Sequence, residues 1–289
     1  MNSEIKYKIN KDKCINCGLC VDICLVYEKI SSKVDTIHPN LCIECGHCES
    51  VCPVNAIEGP EEVKMICEDE QIPTYESLQF LLQTRRSIRR YKSEPISDID
   101  LQKMLEAGRY APTGSNEQNI KYVVINSHEK MQELSEIALP VVFKTFKVAK
   151  KIASLPFAGK ILGKKQAYRL KNIYGPAITI FEERNKQGED RLFYNAPGLM
   201  VVHGEKQDEA LAFSCHIAMH NCVLIAQTLG IGCLLNSFAL MAINQSKVLR
   251  KKLGIPKENK CFGAMTFGYK NINYKKHVNR KPVNVNIIE

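Results

Sequence analysis

The chain has 289 residues, enough for two domains of unequal size and too few for three ordinary ones. Its 45% hydrophobic content is that of a folded chain and excludes disorder, and the lack of Trp leaves aliphatic side chains to fill most of the core. The formal charge of +9 is local: residues 141–175 carry nine basic side chains (Lys144, Lys147, Lys150, Lys151, Lys160, Lys164, Lys165, Arg169 and Lys171) and no acidic one, so the remainder is formally neutral.

Such a stretch is read as a solvated helical face, or as an attractor of nucleic acid, an anionic surface, an acidic partner or an anionic cofactor. With no nucleic-acid motif beside it, nucleic-acid binding is set aside. The N-terminal MNSEIKYKINKDKC has no apolar h-region, and no run of about 18 apolar residues occurs, so neither a signal peptide nor a membrane span is expected and the expected location is cytoplasmic. Thirteen cysteines in such a chain point to metal or redox use rather than to disulfides.

The first organised segment is a cysteine ladder. Cys14, Cys17, Cys20 and Cys24 follow the spacing C-x2-C-x2-C-x3-C, and Cys42, Cys45, Cys48 and Cys52 repeat it. The close x2 steps let one looping backbone present three thiolates to one cube, and the x3 step turns the fourth sulfur away. Gly18 and Gly46 occupy the same place in both runs, where the chain must turn tightly. Structural zinc also uses C-x2-C pairs, but it has no need of this rhythm twice over. The segment, about residues 5–58, resembles bacterial two-[4Fe-4S] ferredoxins. That resemblance implies one cluster on Cys14, Cys17, Cys20 and Cys52 and a second on Cys42, Cys45, Cys48 and Cys24, each run completing its neighbour's site. One departure is Leu25 after Cys24, where the second run has Pro53 after Cys52. His47 reads as a solvent-facing loop residue. Cys67, Cys215, Cys222, Cys233 and Cys261 lack ligand spacing and read as small buried apolar residues.

Residues 59–74, acidic and broken by Pro60 and Pro73, read as a linker. Domains are therefore expected at 1–72 and 73–289. In the second, Tyr75–Thr84 has helical apolar spacing, and Ser97 with Asp100 three positions on predicts a capped helix to about Tyr110. Strands are predicted at 120–126, 199–203 and 261–269. Residues 209–229 form a long apolar helix with small residues suited to close packing, a core element or an interface.

Three polar segments punctuate this pattern. Arg85, Arg86, Arg89 and Arg90 surround Ser87, a density that suits a phosphate because guanidinium groups bind its oxygens bidentately and stay charged. Pro112, Thr113, Ser115 and Asn116 lie in a loop whose amides suit the edge of a heterocycle. Gly268-Tyr269-Lys270 and Asn279-Arg280-Lys281-Pro282 close the chain. With Gly230-Ile231-Gly232 after the long helix, these segments over about residues 75–285 resemble the FMN-dependent nitroreductase family.

The resemblance implies an α+β nitroreductase-like FMN fold, a central mostly antiparallel sheet flanked by helices, preceded by a small ferredoxin-like two-[4Fe-4S] domain. It implies that Arg85, Arg86, Ser87 and Arg89 hold the FMN phosphate and ribityl chain, with Arg280 and Lys281 closing from the other end. Asn116 would reach the isoalloxazine ring, shaped by Pro112, Thr113 and Ser115, and Leu235, Asn236 and Ser237 would lie near flavin N5. No catalytic residue is identified beyond Ser237 as a candidate near N5.

The same likeness implies a homodimer with FMN at its interface, and an oxidoreductase that reduces a nitroaromatic, quinone or activated alkene. The electron donor would be ferredoxin or another low-potential protein, with NAD(P)H also possible. The alternatives are an electron carrier between proteins or a different flavin chemistry such as reductive dehalogenation. The basic stretch would be a lid over the flavin or a docking surface for an acidic donor.

Overall fold

The computed structural model describes residues 6–60 and 72–288. Cys67 and most of the expected linker lie outside the described residues. The chain divides into two compact units, residues 1–73 with 113–118, and residues 74–112 with 119–289.

The first unit contains β1 (Lys8–Ile9), α1 (Leu19–Ile23), β2 (Tyr27–Ile30), β3 (Lys33–Thr36), α2 (His47–Ser50) and β4 (Ile57–Glu58). Strand β1 pairs antiparallel with β4, and β2 with β3 across a turn in which Ser31 and Ser32 both have positive φ, the backbone of a tight hairpin. Its core is small: Tyr7, Val26, Tyr27, Val34, Cys48 and Ile57. The internal duplication is visible in the backbone. Gly18 and Gly46, with φ of 94° and 73°, precede α1 and α2, and Asn16 and Glu44, one step before Cys17 and Cys45, both take φ of 56°.

The second unit runs through α3 (Tyr75–Thr84), α4 (Asp98–Arg109), β5 (Lys121–Asn126), α5 (His128–Ala153), α6 (Ala158–Leu162), α7 (Lys164–Arg169) and α8 (Gly175–Lys186). It continues with β6 (Gly198–Glu205), α9 (Glu209–Thr228), β7 (Ile231–Leu235), α10 (Ser237–Gln245), α11 (Lys247–Lys252) and β8 (Asn259–Tyr269). The four strands form one antiparallel sheet in the order β5-β6-β8-β7. This is the α+β architecture expected, with strand β7 as an addition.

Because side chains alternate across a strand, β6 serves two cores at once. Leu199 and Val201 face a cluster with Leu134 of α5, Ile243 of α10 and Leu249 of α11, while Met200 and Val202 face one with Met104 of α4 and Cys215, Met219 and Cys222 of α9. Burial on both faces explains why β6 reads as a continuous apolar run. In β8 the alternation is shifted by a bulge. Val202 pairs with Gly263 and His203 with Cys261, so Phe262 is the extra residue, and the apolar side chains on either side of it still reach their own cores.

Helix α9 is long and apolar enough to cross a membrane by length and composition, but Leu211, Cys215, Ala218, Cys222 and Ala226 are buried along one side of it. It is read as a core helix. The basic stretch spans the second half of α5, then α6, α7 and the turn of helix after them that holds Lys171, and all nine of its basic side chains are exposed.

Candidate functional site

In the first unit Cys14, Cys17 and Cys20 line one apolar cavity together with Cys52, joined by Ile9, Val34, Val54, Ala56 and Ile57. The cavity thus gathers three thiols of the first run and the last thiol of the second, the grouping that the ferredoxin resemblance implies. Among the described residues no three His, Cys, Asp or Glu side chains converge as they would on a single ion; these four thiols ring a space instead. Two features support the ring. The Asn10 amide nitrogen donates 2.7 Å to the Ala56 carbonyl, and the Ala56 amide donates 3.2 Å to Cys52 Sγ.

Of the other four thiols, Cys24 and Cys42 pack against the core cluster that contains Cys48, and Cys24 and Cys45 lie near enough to Cys48 to help raise its pKa. Burial pushes the Cys48 and Cys20 thiols up, so as free thiols they keep their protons. A bound metal reverses that preference, because the ligand is the thiolate.

In the second unit the arginine segment is stitched between two strands. Ser87 forms a parallel bridge with Cys233 of β7, and the Ile88 amide donates 3.0 Å to the Cys233 carbonyl. Tyr91 bridges Lys270, the Lys92 amide donates 2.9 Å to the Tyr269 carbonyl, and the Asn271 amide donates 3.0 Å to that of Arg90. Three segments far apart in sequence therefore meet: 85–92, 230–233 and 268–271. Gly232 is required for this approach, since a Cβ there would lie 2.6 Å from the Ile88 side chain. Tyr91 holds the turn from beneath, its hydroxyl donating 2.7 Å to the Ile88 carbonyl and lying 3.2 Å from Thr266 Oγ1. Burial raises its pKa, so it stays a neutral phenol.

The guanidinium of Arg86 is half-buried. One terminal nitrogen donates to the carbonyls of Gln83 (2.5 Å) and Arg85 (2.8 Å), and the other lies 3.4 Å from that of Lys276. Its Nε is buried without a hydrogen-bond partner. An anionic oxygen satisfies a buried cationic N–H that has no acceptor, so the segment fits a phosphate. Arg85 and Lys270 lie close enough to Cys233 to oppose the effect of burial, which nevertheless pushes that thiol to about 12. Arg89 is exposed, with its guanidinium 5.8 Å from the Tyr194 ring centre.

The remaining candidate residues differ in fate. Arg280 and Lys281 are exposed in the C-terminal segment, which returns to the arginine motif through Lys276 and through His277, whose ring meets Phe80 edge-on at 6.2 Å. Leu235 and Ser237 are exposed at the junction of β7 and α10. Asn236 is buried and fully engaged: its side-chain oxygen caps α10 by accepting from the Ala239 amide (2.9 Å), and its nitrogen donates 2.6 Å to the Leu192 carbonyl. The structure thus gives Asn236 the role of positioning Leu235 and Ser237.

Pro112 is exposed at the edge of the second unit, while Thr113, Ser115 and Asn116 group by their contacts with the first. Ser115 and Asn116 take left-handed backbone, and the Asn116 amide donates to the carbonyls of Ile43 (3.3 Å) and Glu44 (2.9 Å). Sequence reasoning missed Tyr194 and Asn195, adjacent residues with positive φ whose loop is held by the Asp190 carboxylate, which accepts from the amides of Leu192, Phe193 and Asn195. Asn195 and Ala196 line a cleft of about 570 Å³ with His128, Ser135, Glu136 and Phe143 of α5.

A module with a thiol-lined cavity thus precedes an antiparallel sheet that carries an arginine turn. The chain belongs to the nitroreductase family, whose model matches residues 82–269, and it carries a 4Fe-4S binding domain, matched at residues 7–24 and 35–58.

Among curated proteins it is 41% identical over 56 residues to a putative NADH dehydrogenase/NAD(P)H nitroreductase of Archaeoglobus fulgidus, a match covering 19% of this chain and 32% of that protein. It is 38% identical over 58 residues to an NADPH-dependent oxidoreductase of Staphylococcus saprophyticus, covering 20% of this chain and 23% of the relative. The chain thus spans about a third or less of these two relatives. A nitrobenzene nitroreductase of Ectopseudomonas oleovorans is 24% identical over 209 residues, 68% of this chain and 88% of that protein. In fold the chain is similar to an FMN-bound nitroreductase of Bacteroides fragilis, with a TM-score of 0.53 and 24% identity over 75% of this chain and all of the other.

Proposed function

We propose that the chain binds FMN in its second unit and two [4Fe-4S] clusters in its first, and uses them to reduce a nitroaromatic, quinone or activated-alkene acceptor. The observation that carries this reading is the buried, unpartnered Arg86 Nε, set where Ser87 and Ile88 are bound to β7. Arg85, Arg86, Ser87 and Arg89 would hold the FMN phosphate and ribityl chain, with Arg280 and Lys281 closing over it. Leu235 and Ser237 would lie near N5. Cys14, Cys17, Cys20 and Cys52 would hold one cluster, and Cys42, Cys45, Cys48 and Cys24 the other.

Bound together, these groups join one-electron transfer at iron–sulfur to hydride chemistry at flavin. The chain's own part is to bind and orient. Tyr91 and Gly232 keep the arginine turn against β7, Asn236 fixes the start of α10, and the cleft beside Asn195 gives an acceptor of small-molecule size a concave place to dock. No carboxylate pair or nucleophilic triad is required of the chain, and protons come from solvent. A second copy is expected as partner. Phe213 and Ile217 on α9 are 74% and 41% exposed and one turn apart, an apolar stripe suited to a homodimer. Ferredoxin or another low-potential protein, or NAD(P)H docked at the flavin, would supply the electrons, and the cytoplasm is the location that suits such clusters.

The test is anaerobic purification with iron, sulfide, zinc and flavin analysis, then stepwise reduction while the flavin and cluster absorbance bands are followed. About eight irons and one FMN per chain, with electrons passing between them, is the expected result. Zinc in place of iron, or clusters without flavin, would overturn the coupled reading. Full cofactor content without turnover of any acceptor would leave an electron carrier.

A further inference from the structure

Tyr27 begins β2 three positions after Cys24, and it is 2% exposed. Its hydroxyl lies 3.5 Å from Cys48 Sγ and 3.2 Å from the Tyr7 carbonyl oxygen. Phe would fill the same space among Val26, Val34 and Ile57, so what the phenol adds is a single hydroxyl proton placed between these two acceptors. The duplication provides the comparison. Three positions after Cys52, the equivalent place in the second run, stands Asn55, whose backbone is left-handed with φ of 48°. Among the described residues, Cys20, the counterpart of Cys48, has backbone hydrogen-bond partners and no side-chain donor.

We propose that Tyr27 is a positioning residue that acts through Cys48 to raise the reduction potential of the cluster on Cys24, Cys42, Cys45 and Cys48, and leaves the other cluster unaffected. The inference rests on the two-cluster reading above. As a ligand, Cys48 is a thiolate and can only accept, so the Tyr27 proton is drawn to it. An added electron increases negative charge on the cluster sulfurs, and an O–H donated to one of them is worth more in the reduced form than in the oxidised form. The site is buried, so no water replaces the donor once it is removed. The two clusters are then unequal because of one hydroxyl, and the one beside Tyr27 is reduced more readily than it would be without it.

The experiment is a redox titration of the anaerobically purified full chain and of its Tyr27→Phe variant, followed by electron paramagnetic resonance, with iron and sulfide counted first. The expected result is unchanged iron, a fall of about tenfold in the reduced-to-oxidised ratio of one cluster at fixed potential, or about 59 mV for one electron, and an unmoved second cluster. Unchanged potentials for both clusters, or equal shifts in both, would overturn the inference while leaving two clusters in place. Absence of iron from the unsubstituted chain would instead defeat the two-cluster reading. Should Tyr27→Phe lose a cluster, 3-fluorotyrosine at position 27, a stronger donor of nearly the same size, decides: the potential rises if the hydroxyl acts as stated, and an unmoved potential overturns it.

Discussion

The two units hold themselves together differently. The second has a four-stranded sheet with a core on each face, and its β6 contributes alternate side chains to both. Among the described residues the first has two two-stranded ladders and a core cluster of six buried residues, one of them a candidate ligand. So few apolar contacts cannot alone balance the entropy of ordering a module of this length, and small domains of this kind are completed by metal. The contrast shows that in this chain the site and the fold are nearly the same thing in the first unit, and separable in the second.

The largest expected effect would break that contrast. On the proposed two-cluster reading Cys52 completes the site of the first run although it stands in the second, so Cys52→Ser should remove about half of the iron, and hydrogen exchange should show the first unit loosened with the sheet unchanged. Loss of all iron, or loosening of both units alike, would contradict it. Next is Arg86→Ala, which leaves the sheet intact but removes the unpartnered Nε. FMN should bind about tenfold to a hundredfold more weakly by fluorescence titration, as expected for charged hydrogen bonds of about 1.5–3 kcal/mol.

Gly232→Ala tests the packing side of the same turn. Overlap with Ile88 should lower the stability of the second unit by about 1–3 kcal/mol, read as a lower denaturation midpoint with first-unit iron retained. The smallest effect concerns pH. His203 is buried against Asn259, their side-chain nitrogens 2.9 Å apart, and burial lowers its pKa below 6.5. The unfolded chain then takes up a proton that the folded one resists, so stability should fall as pH drops through about 6.5 and level off below the folded pKa. His203→Gln should flatten that fall, and an unchanged slope would show that other groups cause it.

Much was legible in the sequence where the chemistry is local. The helix Tyr75–Thr84 has the limits that its spacing predicts, Ser97 caps α4 by accepting from the Asp100 amide at 3.1 Å, and the predicted strands 120–126, 199–203 and 261–269 fall within a residue to a few of β5, β6 and β8. The helical face read for the basic stretch is there, but the limits of α5 to α8 were not anticipated. They carry the basic stretch, and its lysines and apolar side chains are mixed without a clear start signal in the charged part. Strand β7 was not read from the sequence because Gly230 before it and Gly232 within it weaken the local strand pattern, while the reason for Gly232, the close approach of Ile88, is not local.

The sequence by itself determined the cysteine rhythm, the chemistry available to it and the arginine-rich turn, because these depend on residue identity and on spacings of a few bonds. Only the tertiary structure decided that the turn would lie along β7 beside the end of β8, that Asn236 would be used up in capping α10, and that Tyr27 would meet Cys48. Those outcomes follow from sheet order and from which polar groups burial leaves in need of a partner, and no local pattern encodes either one.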